Sequence, residues 1–462
     1  MNINEIVAQD RNATDIITDL RKKSVKVPAW GELQKEYDPK QHPVMDKGLY
    51  PDIPAKGKRK AERVTRITLP WQKLATKRMA ELLFGIPVKR VYNAQNEQEQ
   101  KVASIMEAIF KRNRIDSVNI DRARDLYCSC EAVTLWYAQV ADANYAGETS
   151  KMKLRCKTYS PRKGAMLYPL FDEYDDMVAM SVMYARAEGT ANSVTYFETY
   201  TDSEHIRWKQ EGSAWVEELR EQITLLKIPA VYIHREEPVW EDESNNIYEA
   251  EWALSRNGNY LRKNARPNWV VFSDEKVTSG KDINKDNDGV AFLQYPANAK
   301  AGYQTWTQAY DALKFHIDRI EQMYNKAIQH PDISYENMKT TPMSGESRKM
   351  MLIDAQQKTR DESGIWLEFF DREINVIRAY MKQMFPSLAK AIDSLQVEAE
   401  ITPYTIQDEA ELISNLSNAT GGKPIMSQRT AIQNLGYVDD VEEELQQIAD
   451  ESTVDVFQEP AQ

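Results

Sequence analysis

Between Tyr303 and Phe385 the apolar positions follow two helical periods joined by a short polar loop. In the first, Trp306, Tyr310, Leu313, Ile317, Ile320, Tyr324 and Ala327 alternate in steps of four and three. That spacing draws a narrow heptad seam along one helix rather than the broad stripe of an ordinary core helix. Such a seam favours side-by-side packing against other helices while the remaining faces stay wet. His330-Pro331 stops the helix. Ser344-Gly345-Glu346 opens a second one that runs to Phe385, just before Pro386, with a kink expected at Ser363-Gly364. At about 1.5 Å per residue this rod would be roughly 60 Å long, hard to bury in one chain and suited to an assembly.

Elsewhere the periods change. Residues 71–84 read as an amphipathic helix closed by Gly85-Ile86-Pro87-Val88, with further helices near 97–112 and 116–127. From Cys130 to Ile233 the pattern turns to strands at 132–140, 152–160, 177–186, 193–201, 205–210 and 230–235, a meander rich in β-branched and aromatic residues. Ser244 starts a helix with Ile247, Ala250, Leu254 and Leu261 on one side, ending before Arg266-Pro267. Short strands at 268–272 and 290–295 flank a polar hairpin. A strand at 397–402 leads into an acidic helical tail, in which Ser427 caps one helix, Gly436 ends it and Asp439-Asp440 begin another. The fold class is α+β.

The 462 residues have room for about three domains. Ten Trp, 23 Tyr and 11 Phe can fill a substantial core. No run approaches the roughly 20 apolar residues of a membrane span, and the acidic, amphipathic N-terminus has no signal-peptide character. Three cysteines, Cys128, Cys130 and Cys156, are too few for a disulfide framework and point to a reducing compartment and a soluble intracellular product. The net charge of −12 resides entirely beyond Pro386, where 15 acidic residues face only Lys390, Lys423 and Arg429. A chain so charged is a poor tight DNA binder, but it suits a surface that nucleic acid must pass without sticking. Lys56, Lys58, Arg59, Lys60, Arg63 and Arg66 form the one strong basic cluster, either a solvated helix approach or a contact for nucleic acid or an acidic neighbour.

Catalytic patterns are missing. His42, His205, His234, His316 and His330 stand apart, without metal-ligand spacing. Cys128 and Cys130 lie one residue apart and read as small core residues. Gly421-Gly422-Lys423 lacks the earlier glycine and the following Ser/Thr of a phosphate loop, so it reads as a helix stop. Asn284–Gly289 begins like a calcium loop, but Tyr295 stands where a bidentate Glu belongs, leaving a polar hairpin tip. These readings argue against an enzyme and imply no cofactor and no metal.

The order of elements and several strings resemble the portal proteins of tailed bacteriophages: RITLPWQKLATKRMAELLFGIPV, CEAVTLWYAQ, KIPAVYIHREEP, SNNIYEAEWALSRNGNYLRKNARP, PMSGESRKM and KPIMSQRTAIQNLGYVDDVEEELQQI, collinear over roughly residues 60–450. The resemblance implies a homododecameric ring at one capsid vertex, the channel for genome packaging and ejection, with parts called wing, stem, clip and crown. Residues 1–243 would be wing, 244–265 and 303–329 stem helices, 266–302 clip and 330–343 a tunnel loop. Residues 344–402 would return to the wing, and 403–462 would form the crown and acidic tail. The inter-subunit stem seam would be Trp306, Tyr310, Leu313, Ile317, Ile320 and Tyr324. Asp332, Tyr335, Glu336, Asn337, Met338 and Lys339 would face DNA. Lys276, Lys281, Asp282 and Lys285 would offer a docking surface on the clip.

The implied partners are further copies of the chain, double-stranded DNA passing without sequence specificity, the terminase large subunit, the head–tail adaptor, the major capsid protein and scaffold, with no membrane. The implied location is the virion, and the host cytoplasm during assembly. Lys339 is the loop's one cation, and movement of DNA would draw on a separate ATPase. Two rival readings remain open: a monomeric helical adaptor or scaffold, and a metal-dependent nuclease using the Asp-rich 282–288 segment.

Overall fold

The computed structural model describes residues 3–22, 25–52, 54, 63–188, 192–264, 268–272, 274, 291–295, 307–329, 350, 352–403, 409–421, 424–438 and 441–454. The chain begins with α1 (Ile3–Ile6), α2 (Ala13–Leu20), α3 (Trp30–Tyr37) and α4 (Trp71–Phe84), then β1 (Lys89–Asn93), α5 (Glu97–Asn113) and α6 (Ile115–Ser129). Strands follow as β2 (Glu131–Tyr145), β3 (Glu148–Tyr159), β4 (Met166–Phe171), β5 (Met177–Glu188), β6 (Asn192–Tyr200), β7 (Glu204–Glu211), β8 (Ala214–Gln222) and β9 (Ala230–His234). Next come α7 (Ser244–Asn264), β10 (Asn268–Phe272), β11 (Ala291–Tyr295), α8 (Thr307–Ala327) and α9 (Ile353–Met384). The chain closes with α10 (Ala389–Ser394), β12 (Gln396–Glu400), α11 (Glu409–Thr420), α12 (Gln428–Leu435) and α13 (Val441–Val454). Two compact units divide it: Met1–His330 with Ala355–Tyr404, and Pro331–Asp354 with Thr405–Gln462.

In the first unit the strand-rich stretch forms two antiparallel sheets, β3-β2-β9 and the meander β4-β5-β6-β7-β8. Helices α1 and α2 cover the meander because Ile6, Ile16, Ile17 and Leu20 recur on one side and bury against Phe197, Ile206, Trp208 and Trp215. Asn12 caps α2 by accepting from the Thr14 amide at 2.9 Å. The sequence pattern does not predict β4 or β8. β8, AWVEELREQ, buries only Trp215 and is held by its pairing with β7, so its polar residues hide the strand period.

The expected rod is not left outside the chain. α9 buries Trp366, Phe369, Phe370, Ile374, Ile377 and Met381 in the main core, with residues of α4, α5, α6 and β2. Its apolar face is broad enough to be enclosed from several sides, which a narrow seam would not permit. The helix runs unbroken through Ser363-Gly364, and residues 344–349 of the expected start lie outside the described residues. Arg122 of α6 grips Glu373 of α9 with both terminal nitrogens, at 2.8 and 3.1 Å, and the Trp136 indole donates to the same carboxylate at 3.1 Å. Such bonds offset part of the cost of burying the charge pair, although Arg122 Nε, also buried, has no partner among the described residues.

β10 and β11 pair in parallel, Asn268 opposite Ala291 through Phe272 opposite Tyr295. This corrects the expected hairpin, since strands joined by a tight turn must run antiparallel. In the second unit the caps of α12 stand where expected: the Ser427 hydroxyl accepts from the Thr430 amide at 3.2 Å, and Gly436 ends the helix at φ 70°.

Candidate functional site at the root of the α7–α8 pair

α7 and α8 pack against each other, and both are rooted in the first unit by polar and apolar anchors. On the α8 side, Tyr324 and Ile328 bury with Ala75 of α4 and Ile247 of α7. The Tyr324 ring lies 4.7 Å from that of Trp71, and its hydroxyl donates to the Trp71 carbonyl at 2.7 Å. Burial pushes the Tyr324 phenol well above its ordinary pKa. Lys358 of α9 donates to the carbonyl of Ile328 at 3.0 Å.

The α7 side is polar and equally closed. Glu251, fully buried, sits among the apolar positions of α7 and meets His42 Nδ1 at 2.6 Å. His42 Nε2 lies 2.7 Å from the carbonyl oxygen of Glu36. A carbonyl only accepts, so Nε2 carries a proton, and Nδ1 shares its contact with the carboxylate. The Glu36 side chain accepts from the Trp240 indole and the Ser244 hydroxyl, each at 2.9 Å, tying α3 to the first turn of α7.

Residues 63–70 run along α7 as a strap. The amides of Leu69, Ile67 and Thr65 donate in turn to Glu251 Oε1 at 2.7 Å, Ser255 Oγ at 2.8 Å and Asn259 Oδ1 at 2.8 Å. Acceptors four residues apart share one helix face. Amides two residues apart share one side of an extended chain. The strap lies close on that face: a Cβ at Gly258 would stand at ordinary van der Waals distance, 3.7 to 3.8 Å, from Thr65 and Ile67. Arg66 fixes the strap from behind through Asp52 at 2.8 Å and the Tyr50 carbonyl at 2.9 Å. The Val64 amide and Arg66 hold the Asp52 carboxyl below its ordinary range.

The structure brings only part of the predicted constellation into view. Ile320 and Tyr324 of the seam are buried within the chain itself, while Leu313 and Ile317 are half-buried. Tyr310 lies in α8, its side chain outside what is described, and Trp306 lies outside the described residues. So do Asp332, Tyr335, Glu336, Asn337, Met338 and Lys339, and likewise Lys276, Lys281, Asp282 and Lys285. The calcium-like segment 284–289 and basic residues 56–60 share that position. On the far side of α8 from Tyr324, Phe315 is 71% exposed.

Reading the sequence missed His42, Glu251 and the strap. The signal available was a carboxylate inside the apolar face of α7, continued by Ser255 and Asn259 at helical spacing. Cys128 and Cys130 are buried as expected, and burial pushes the Cys130 thiol up to about 12. Among the described residues no group of three or more His, Cys, Asp or Glu could hold a metal ion, and no helix is long and apolar enough to cross a membrane. The arrangement is structural: it holds α8 at its C-terminal end and α7 along most of its length. No curated protein matches the chain. The family model described as phage portal protein, SPP1 Gp6-like, matches residues 21–455.

Proposed function

The chain belongs to the phage portal proteins of the SPP1 Gp6-like family, and from that membership we propose that α7 and α8 are the stem of a closed ring of twelve subunits. Its members are structural proteins of the virion capsid, and the chain forms the vertex channel through which the genome is packaged. Residues 266–302, carrying Lys276, Lys281, Asp282 and Lys285, are the end that docks the terminase large subunit and later the head–tail adaptor. The wing meets the major capsid protein and scaffold, and residues 330–343 face the duplex.

The observation that carries this reading is the division of labour along α8. Tyr324 and Ile328 at its end are buried against α4 and α7, whereas Leu313 and Ile317, a few turns earlier, remain half-buried. A helix anchored at one end and incompletely covered higher up is suited to a neighbour's helix. Head-to-tail contacts of this kind close into a ring at the right rotation.

DNA must pass such a ring loosely. Six to ten ordinary phosphate contacts would bind it by several powers of ten, so a neutral body with an acidic tail suits transit. Repeated around the ring, Lys339 forms a belt of positive charge that tracks phosphates. Lys339→Ala should leave ring assembly intact and alter packaging or DNA retention; unchanged packaging and retention remove it from the mechanism. Light scattering and negative-stain images of the purified protein test the whole reading. A ring with a central hole is expected, and a chain that stays single at high concentration overturns it.

A further inference from the structure

The outward face of β3 carries a line of like charge that the channel reading does not use. Lys151, Lys153, Arg155 and Lys157 alternate along the strand, so all four stand on one side of the sheet. The opposite side of β3 buries Leu154 and packs Met152 and Cys156 into the main core. Lys151 and Lys157 are exposed, and Lys153 and Arg155 are half-exposed. Across the ladder Arg155 faces Tyr137, which is 40% exposed, and Lys153 faces exposed Gln139. Among the described residues none of the four cations is in an ion pair. At the end of the row the Lys157 ammonium lies over the Tyr159 and Tyr184 rings at 4.4 and 5.3 Å, and partial burial, with Arg186 nearby, lowers its pKa against the opposing pull of Glu198.

We propose that this face of the β2–β3 hairpin binds the phosphate backbone of duplex DNA on the body of the subunit, separately from the channel. Three two-residue steps spread the four cations over about 20 Å, a row of point charges matched to a row of phosphates. Contacts of this kind position a duplex and carry no sequence information. β3 is an edge strand of its sheet, and charge on an edge commonly serves to block pairing with other strands. Four cations on one face, none in an ion pair, exceed that need. The chain up to Pro386, strip included, is neutral overall, so the strip is not an extension of a generally basic surface. An acidic protein segment is the competing occupant, and it would be anchored by apolar pockets at its centre, whereas the middle of this ladder offers one ring, Tyr137.

The test uses preassembled protein and covalently closed circular duplex, which cannot thread a closed ring. Binding is read as a function of salt. The triple variant Lys151→Gln, Lys153→Gln, Arg155→Gln should bind the circle about tenfold or more weakly near 100 mM salt. Its log–log salt slope should shrink by about 0.9 for each phosphate no longer neutralised. Gln139→Lys, which adds a cation opposite Lys153, should strengthen binding and steepen the slope, and it reports even if the triple variant folds poorly. Failure of the unaltered protein to bind the circle, or an unchanged slope in both variants, overturns the proposal. Equal affinity for poly-glutamate overturns the assignment to DNA in favour of an acidic protein.

Discussion

Glu198 shows how a buried carboxylate in the meander is kept ionised. It is 4% exposed and accepts from Tyr184 Oη at 2.6 Å, Arg207 Nε at 2.8 Å and the Tyr200 hydroxyl, with His205 Nε2 at 3.4 Å. Burial raises its pKa, but hydrogen bonds from His205, Tyr184 and Tyr200 and the Arg207 charge outweigh burial and hold it at about 2. A depressed carboxylate stabilises the fold above its ordinary value of 4.5 and loses that contribution as pH falls towards about 2. Over that window the loss is on the order of 3 kcal/mol. Thermal melts should therefore show a steep acid limb in the unaltered protein and a flatter one in Glu198→Gln; identical limbs would refute the role. His205 has the opposite sign: burial opposes its charge, but Glu198 and Glu221 raise its pKa. Its contribution is complete below about 6.5 and fades as pH rises through the raised value. At the root of the α7–α8 pair, His42→Ala leaves buried Glu251 with the Leu69 amide but without its imidazole partner. Losing that buried hydrogen bond should cost on the order of 1–3 kcal/mol, read as a lowered Tm, and an unchanged Tm would show the contact to be idle. The second pair is not visible in the sequence, because His42 and Glu251 meet across 209 residues. Ser427 and Gly436 were legible because a cap acts within its own turn.

Elements were legible where their period was strong. α4 matches the expected 71–84, and α7 begins at Ser244 as expected. β8 was hidden because a strand held by its partner need not alternate in burial, and β4 because Pro169 interrupts its short run. The parallel pairing of β10 with β11 was equally hidden, because direction depends on the route between strands and not on their composition. The strap is the least legible element of all: residues 63–70 have neither helical nor strand period, and α7 supplies their acceptors. Asn259→Leu removes the acceptor for one amide and leaves the helix backbone untouched. Hydrogen exchange at the Thr65 amide should accelerate at least tenfold while α7 amides keep their protection. Unchanged exchange at Thr65 would mean that this hydrogen bond contributes nothing.

At the scale of the whole molecule, the proposed stem gives one stripe two purposes. Leu313→Asp with Ile317→Asp should abolish rings in negative-stain images while circular dichroism stays close to that of the unaltered protein. Rings that survive the double change refute the stem assignment. Tyr324→Ala should do the reverse, lowering Tm by opening a cavity against Trp71 and Ala75. The sequence pattern could not separate these halves, because a periodic stripe reports that a helix is covered and not by which molecule. The strap adds a consequence for how such a subunit carries load. Eight residues of α7, from Glu251 to Asn259, advance about 12 Å, and four residues of the strap advance about 13 Å. The two rulers agree only at this setting, like a vernier at its zero mark. A pull along the stem meets a detent: the next matching position lies a whole helical turn away. An insertion or deletion of a single residue between Glu251 and Asn259 would throw the scales out of phase, so the length of that stretch should be far less variable than its composition.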